Sequence, residues 1–100
     1  MNINFDFFTL ENGLKVVLHF DSNSNVVTTN MLYNVGSKDE SPDCTGLAHF
    51  FEHLMFSGTK RHPRFDTFLE KVGAQNNAFT SSDITNYYIT VPSNNLEHAL

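Results

Sequence analysis

The 100-residue sequence has no tryptophan, a single cysteine (Cys44) and a net charge of −5. One cysteine excludes an internal disulfide, and the acidic balance argues against nucleic acid as the main partner. No apolar run approaches the length needed to cross a bilayer, so we expect no membrane span. The first residues lack the basic and apolar regions of a signal peptide, so we expect a cytoplasmic protein or one exported with its signal removed.

The composition is that of a globular protein, with 40% hydrophobic and 17% charged residues. Such a balance can bury a core, and the length accommodates one small domain. Phenylalanine is common, with 10 copies. We therefore look for the function in the arrangement of a few polar side chains among these apolar ones.

Regular alternation of apolar residues predicts strands over residues 3–7, 14–20 and 27–35, with a hairpin turn at Asn12-Gly13. A helical pattern has Pro63 in its first turn and ends at Gly73. Two further strands are predicted over residues 74–80 and 85–91. Asn94 then resembles a helix N-cap, with Glu97 three residues later completing a capping-box-like start, and the chain ends about one turn into that helix.

The segment of residues 46–58, GLAHFFEHLMFSG, holds His49, Glu52 and His53 in the order H-x-x-E-H. On a helix, positions i, i+3 and i+4 share one face, so all three side chains point the same way. Thr45 is a suitable N-cap, and Gly58 suits a left-handed position just past the helix end. Bulky apolar residues fill the rest of the segment, so we expect a buried helix whose polar stripe faces a cleft.

Two imidazoles one turn apart can hold one metal ion, and the glutamate beside them can act as a general base for a metal-bound water. The simpler alternative is a core helix with hydrogen-bonded histidines. A Cys–His nucleophile is also conceivable, because Cys44 lies five residues before His49. His19 is most simply an outward-facing strand residue.

The segment of residues 46–59 closely resembles the zinc helix of the pitrilysin (insulinase) metallopeptidases, a family that includes the mitochondrial processing peptidase β-subunit. Residues 73–88, GAQNNAFTSSDITNYY, are similar to the family's next characteristic segment. The hairpin of residues 10–18 also fits the family's usual N-terminus. The resemblance covers nearly the whole chain and rests on two separate motifs.

The resemblance implies an α+β fold, with helices packed on one face of a mostly antiparallel sheet, and zinc-dependent peptide hydrolysis. His49 and His53 would bind Zn²⁺, and Glu52 would be the general base. Asn77, Ala78 and Phe79 would form an edge strand whose backbone pairs with an extended peptide or unfolded protein.

The family's third zinc ligand is a glutamate that would lie beyond residue 100, and a catalytic zinc normally has three protein ligands. Four other residues could ligate a metal, but none occupies the family's position: Glu70, Asp83, Glu97 and His98. The family also uses a second homologous half or subunit to complete its active site.

Three hypotheses remain open from the sequence. Residues 1–100 are the N-terminal portion of a single metallopeptidase domain, truncated near residues 94–100, and the parent protein is a zinc endopeptidase. Alternatively, the chain is a catalytically incomplete fragment that serves as a metal-binding or partner-docking module. A purely structural subunit is the weaker third interpretation, because the H-x-x-E-H motif is intact.

Overall fold

The computed structural model describes residues 3–100 and contains five strands, two α-helices and two 3-10 segments. In chain order these are β1 (Asp6–Thr9), β2 (Lys15–Leu18), β3 (Val26–Tyr33), a first 3-10 turn (Ser37–Asp39), α1 (Leu47–Phe56), α2 (Phe65–Lys71), β4 (Gln75–Thr80), β5 (Thr85–Pro92) and a second 3-10 segment (Ser93–Ala99).

The first two strands form a separate antiparallel hairpin. A turn lies where Asn12-Gly13 predicts one, but the predicted two-residue turn is wrong: the hairpin closes with a hydrogen bond of 2.8 Å from the Leu10 N–H to the Leu14 carbonyl, around a three-residue loop. Gly13 adopts a φ of 88°, and the Asn12 side chain accepts a hydrogen bond from the Leu14 N–H at 3.0 Å. The first strand begins at Asp6 rather than at residue 3, because its partner strand ends opposite it, at Leu18.

The main sheet has the strand order β3–β5–β4, and all pairs are antiparallel. Alternate residues of β5 point to opposite faces. The face that contains Tyr87 and Val91 is covered by the helices and by the second 3-10 segment, where the Thr29 hydroxyl donates to the Ala99 carbonyl at 3.0 Å. The α+β fold with helices on one face of an antiparallel sheet is thus confirmed.

The apolar core within residues 3–100 is small, since Leu69 and Val91 are the apolar residues that are buried. The radius of gyration is 15.7 Å, above the value of about 13 Å expected for a compact domain of this length. No helix in this part of the chain is long and apolar enough to cross a membrane.

The prediction that α1, the helix that carries the H-x-x-E-H motif, is buried was wrong for its apolar side chains. Phe50, Phe51 and Met55 are each more than half exposed, whereas Glu52 is buried. The reason is that α1 packs on the sheet along one side, through β4 and β5. A groove of about 610 Å³ beside α1 is lined by apolar side chains that include Phe51, Met55 and Tyr87.

The predicted end of α2 is confirmed, with Gly73 at a φ of 69°. Its start is not, because α2 begins at Phe65 and Pro63 lies in the preceding loop. The capping-box helix predicted from Asn94 is instead a 3-10 segment kinked at Asn95, whose side chain donates to the Val72 carbonyl at 3.0 Å. That tertiary hydrogen bond favours the kink over a regular helical start.

Candidate metal centre and active site

The two histidines of the H-x-x-E-H motif converge on one point beside α1. The Nε2 atoms of His49 and His53 lie 3.0 Å apart, and the ring centroids are separated by 4.7 Å. Zinc–nitrogen bonds of about 2.0–2.1 Å in tetrahedral geometry place two nitrogen ligands about 3.3 Å apart. The two Nε2 atoms would therefore need to move apart by only about 0.3 Å to hold a zinc ion between them.

Glu52 lies on the same side of α1 but points toward the sheet, and only 8% of its surface is exposed. A buried carboxylate needs a polar partner, and the Thr80 hydroxyl at the end of β4 donates a hydrogen bond to its Oε2 atom. The Glu52 carboxylate also lies near Tyr87. The pKa of Tyr87 is raised mainly by burial and to a smaller extent by the negative charge of Glu52. Glu52 is thus held against the sheet.

A cleft of about 590 Å³ opens between α1 and the end of β4. Its lining brings together the motif helix, the predicted substrate strand and the turns beside it: Ser37, His49, Glu52, Ala78, Phe79, Thr80, Ser81 and Ser82. Residues of α1 and of the end of β4, 28 positions apart in the case of Glu52 and Thr80, therefore face one cleft.

Strand β4 lies at the edge of the sheet and pairs with β5 on one side. The tight turn closes with a hydrogen bond of 2.8 Å from the Ser81 N–H to the Ile84 carbonyl. Because hydrogen-bonded and non-hydrogen-bonded pairs alternate in an antiparallel ladder, the backbone groups of Asn77 and Phe79 pair with β5. Those of Ala78 point away from it, and the Ala78 N–H donates to the Asn77 side-chain Oδ1 at 2.9 Å.

The N-terminus of α1 is held by a residue outside the helix. The predicted N-cap, Thr45, is wrong: the cap position is Gly46, in the left-handed conformation with a φ of 88°. Instead, the Glu40 carboxylate accepts hydrogen bonds from the N–H groups of Gly46 at 2.6 Å and Ala48 at 2.8 Å. These bonds, that from Ala48 first, lower the pKa of Glu40.

Glu40 is placed by the first 3-10 turn, which docks on the β4–β5 turn. The Ser37 N–H donates to the Ser81 carbonyl at 3.2 Å, and the Lys38 N–H donates to the Ser82 carbonyl at 3.0 Å. Gly36 is required at this contact, because a Cβ atom there would collide with the same two carbonyl oxygens. The first 3-10 turn and Glu40 therefore connect the N-terminus of α1 to the end of the edge strand β4 at the rim of the cleft.

Residues 15–100 match the family model of Insulinase (Peptidase family M16). The chain belongs to this family. It is 39% identical over 94 residues to the insulin-degrading enzyme of Homo sapiens and 40% identical over 95 residues to the zinc protease PqqE of Helicobacter pylori.

A solved structure agrees with the sequence comparisons. A protease from Helicobacter pylori superposes with a TM-score of 0.87 at 38% identity, over 96% of this chain and 24% of the other. The human and bacterial relatives are matched over 91% and 92% of this chain but over only 9% and 21% of their own lengths. The chain thus spans a minor part of the M16 proteins it matches, and the resemblance predicted from the two motifs is confirmed.

Zinc is the metal named for relatives in the M16 family, and the nitrogen pair of His49 and His53 suits it. Within residues 3–100 no group of three or more His, Cys, Asp or Glu side chains is gathered around one point. Of the four other candidate ligands, Asp83 is paired with Lys38 at 2.8 Å, and His98 lies against the Phe68 ring at 5.6 Å. Neither lines the cleft.

The remaining candidates lie elsewhere. Cys44 is exposed and lines the apolar groove beside α1 rather than the cleft that contains His49. The His19 Nδ1–H donates a hydrogen bond to the Asn4 carbonyl at 2.6 Å, next to the separate hairpin. Neither side chain contributes to the metal pair.

Two side chains that hold the candidate site in place were not predicted from the sequence, Thr80 and Glu40. The sequence did indicate that a carboxylate on an apolar helix needs a partner. It did not indicate which residue supplies one, because Thr80 lies 28 positions from Glu52. Glu40 carries no recognisable capping signal, since it lies six residues before the helix cap.

Proposed function

We propose that this chain carries the zinc-binding and general-base residues of an M16 zinc endopeptidase. The observation that carries the proposal is the cleft itself. It joins His49, one member of the converging histidine pair, and the buried Glu52 carboxylate to the edge strand that would hold the substrate. The intact H-x-x-E-H motif on α1 favours a catalytic protein over an inactive relative.

In the proposed reaction, His49 and His53 provide two neutral nitrogen ligands. Zinc, when bound, polarises the scissile carbonyl and acidifies the attacking water. Glu52 accepts the proton that the water loses and passes it to the nitrogen of the leaving amine. Its buried position beside the histidines suits this role, because the carboxylate reaches the cleft without being free to swing into solvent.

The substrate in this proposal is an extended peptide or a segment of unfolded protein. The backbone N–H and C=O of Ala78 face the outer edge of β4, whereas Asn77 and Phe79 hold the strand in the sheet. Strand addition at this edge uses main-chain hydrogen bonds and so tolerates varied sequences. The Ala78 N–H would exchange its bond to the Asn77 side chain for one to the substrate.

The proposal includes a third zinc ligand, a glutamate beyond residue 100, and a second homologous half or subunit that completes the chamber. The small fraction of each relative that the chain spans supports the view that it is one part of a larger peptidase domain. The 100 residues alone would then form a catalytically incomplete unit. The presence of only two converging ligands within residues 3–100, His49 and His53, favours the incomplete-fragment hypothesis for the isolated chain.

The test compares the 100-residue chain with the full-length protein that contains it. Zinc binding is measured by calorimetry and cleavage by the release of fluorescence from a quenched peptide, each with His49→Ala and Glu52→Gln. We expect His49→Ala to remove tight zinc binding, and Glu52→Gln to retain most of it while cleavage falls at least about a thousandfold. Full activity of Glu52→Gln would show that the base is another residue.

The isolated chain has its own expected result, which is weak zinc binding and no peptide cleavage. Tight binding that is lost in His49→Ala would instead indicate a third ligand within these residues or from a second copy of the chain. Cleavage by the isolated chain would exclude the incomplete-fragment view.

A further inference from the structure

We propose that Thr80 is a positioning residue that fixes the direction of the Glu52 carboxylate. Its hydroxyl holds one carboxylate oxygen, Oε2, so that the other oxygen, Oε1, is presented to the cleft. The inference rests on the proposed function of Glu52 as the base, and it adds a residue outside the H-x-x-E-H motif to that site.

The geometry begins with the register of the sheet. Thr80 is the last residue of β4 and pairs with Thr85 of β5, so its side chain lies on the face covered by α1. From there the hydroxyl donates to Glu52 Oε2. Within residues 3–100, no hydrogen bond reaches Oε1 of Glu52, which leaves that oxygen to accept a proton from a substrate water.

Thr80 is well suited to hold a fixed direction. A β-branched side chain has few χ1 rotamers, and the backbone of Thr80 is pinned between the β4–β5 ladder and the hydrogen bond from Ser81 to Ile84 at 2.8 Å. A glutamate side chain has three rotatable bonds, and its rotamer freedom is restricted only when a contact such as a hydrogen bond fixes the carboxylate. The rigid strand therefore orders the flexible carboxylate.

The arrangement also relates the base to the proposed substrate edge. Ala78 and Thr80 are two residues apart on one strand, a separation of about 6.6–6.8 Å. Ala78 offers its backbone to the substrate, and Thr80 holds the base. One rigid strand would thus set the distance between the bound peptide and the group that activates the water.

A merely structural reading is that the hydrogen bond ties β4 to α1 and does nothing else. The two readings differ in what a substitution changes. If the hydrogen bond only connects β4 to α1, its loss lowers thermal stability and affects substrate and metal binding along with turnover. Loss of positioning lowers kcat while KM, zinc content and folding stay near those of the unmodified protein.

The experiment uses the full-length protein with Thr80→Val, which keeps the shape and removes the hydroxyl, and Thr80→Ser, which keeps the hydroxyl. Thr90→Val is the matched control, because it removes a hydroxyl of the same sheet whose 2.9 Å partner, Thr28, is far from the cleft. We expect kcat to fall about 10- to 100-fold in Thr80→Val, the range typical of residues that orient an active-site ligand, with KM within about twofold. Thr80→Ser should recover at least a third of the activity, and Thr90→Val should match the unmodified protein.

A second readout does not depend on activity. In the zinc-free protein labelled with ¹³C at the glutamate carboxyl carbons, the Glu52 signal is identified by its loss in Glu52→Gln. It should shift in Thr80→Val and return toward its original position in Thr80→Ser. An unmoved signal, an unchanged kcat in Thr80→Val, or a failure of serine to rescue turnover would each overturn the positioning role.

The outcomes also separate this inference from the proposed function. If the unmodified protein cleaves peptides and Glu52→Gln does not, but Thr80→Val is fully active, only the role of Thr80 is refuted. If Glu52→Gln is fully active, the base itself is misassigned and both proposals fall.

Discussion

The register of β4 leads to a sharp prediction about its backbone. The N–H of Ala78 points away from β5, whereas that of the next residue, Phe79, points toward Asn86 in the ladder. Proline removes a backbone N–H and is tolerated on an edge strand where that group faces outward. Ala78→Pro should therefore leave the sheet intact and remove one bond to a peptide substrate.

The magnitudes follow from which partner each N–H has. In Ala78→Pro the ladder keeps its bonds, so we expect a loss of stability below about 1 kcal/mol. Phe79→Pro removes a ladder bond and leaves the carbonyl of the buried Asn86 without its donor, which should cost about 2–4 kcal/mol. A single lost backbone bond to substrate should lower kcat/KM about 2- to 12-fold in Ala78→Pro.

Urea denaturation measures the loss of stability in Ala78→Pro and in Phe79→Pro. Cleavage of a quenched peptide by the full-length protein measures the fall in kcat/KM of Ala78→Pro. The two substitutions serve as controls for each other, because they lie next to one another on one strand. If Ala78→Pro destabilises the protein as much as Phe79→Pro does, the register of β4 is wrong. If stability behaves as expected but kcat/KM does not change in Ala78→Pro, the strand is sound and the substrate binds elsewhere.

Two further predictions concern stability. Leu69 is 2% exposed in a small core, so Leu69→Ala should lower the free energy of unfolding by about 2–5 kcal/mol, whereas Phe20→Ala, at an 87% exposed position, should change it little in the same urea titration. Glu40→Gln should lower the melting temperature at pH 7, because the charged carboxylate that accepts the Ala48 and Gly46 N–H groups is lost. Since the pKa of Glu40 is lowered in the folded state, this difference should be full above the ordinary glutamate pKa of about 4.3 and should disappear as the pH falls through the lowered pKa; a constant difference down to pH 2 would contradict the cap.

Helix α1, which carries His49 and His53, could be predicted from the sequence because its signal is local. The spacing of His49 and His53 places both rings on one face of any α-helix, and the positive φ of Gly58 past its end is a property of glycine. The strands that alternate in polarity were predictable for the same reason. Each of these features depends on residues within a few positions of one another.

The features that could not be predicted depend on distant partners. Glu40 replaces Thr45 as the cap because the 3-10 turn docks on the β4–β5 turn, more than 40 positions away. The kink at Asn95 depends on the Val72 carbonyl. The bulky apolar residues of α1 also indicated a buried helix, but apolar composition does not say which element covers a surface.

The two halves of the site therefore depend on different parts of the fold. The separation of His49 and His53 is set within one helix, so any condition that preserves α1 preserves the nitrogen pair. The direction of Glu52 is set by Thr80, and so by the pairing of β4 with β5 and by the turn that joins them. It follows that loosening the β4–β5 hairpin should reduce turnover before it reduces metal binding, because proton transfer requires the strand and the helix to be held together, whereas the two histidine ligands are placed by the helix alone.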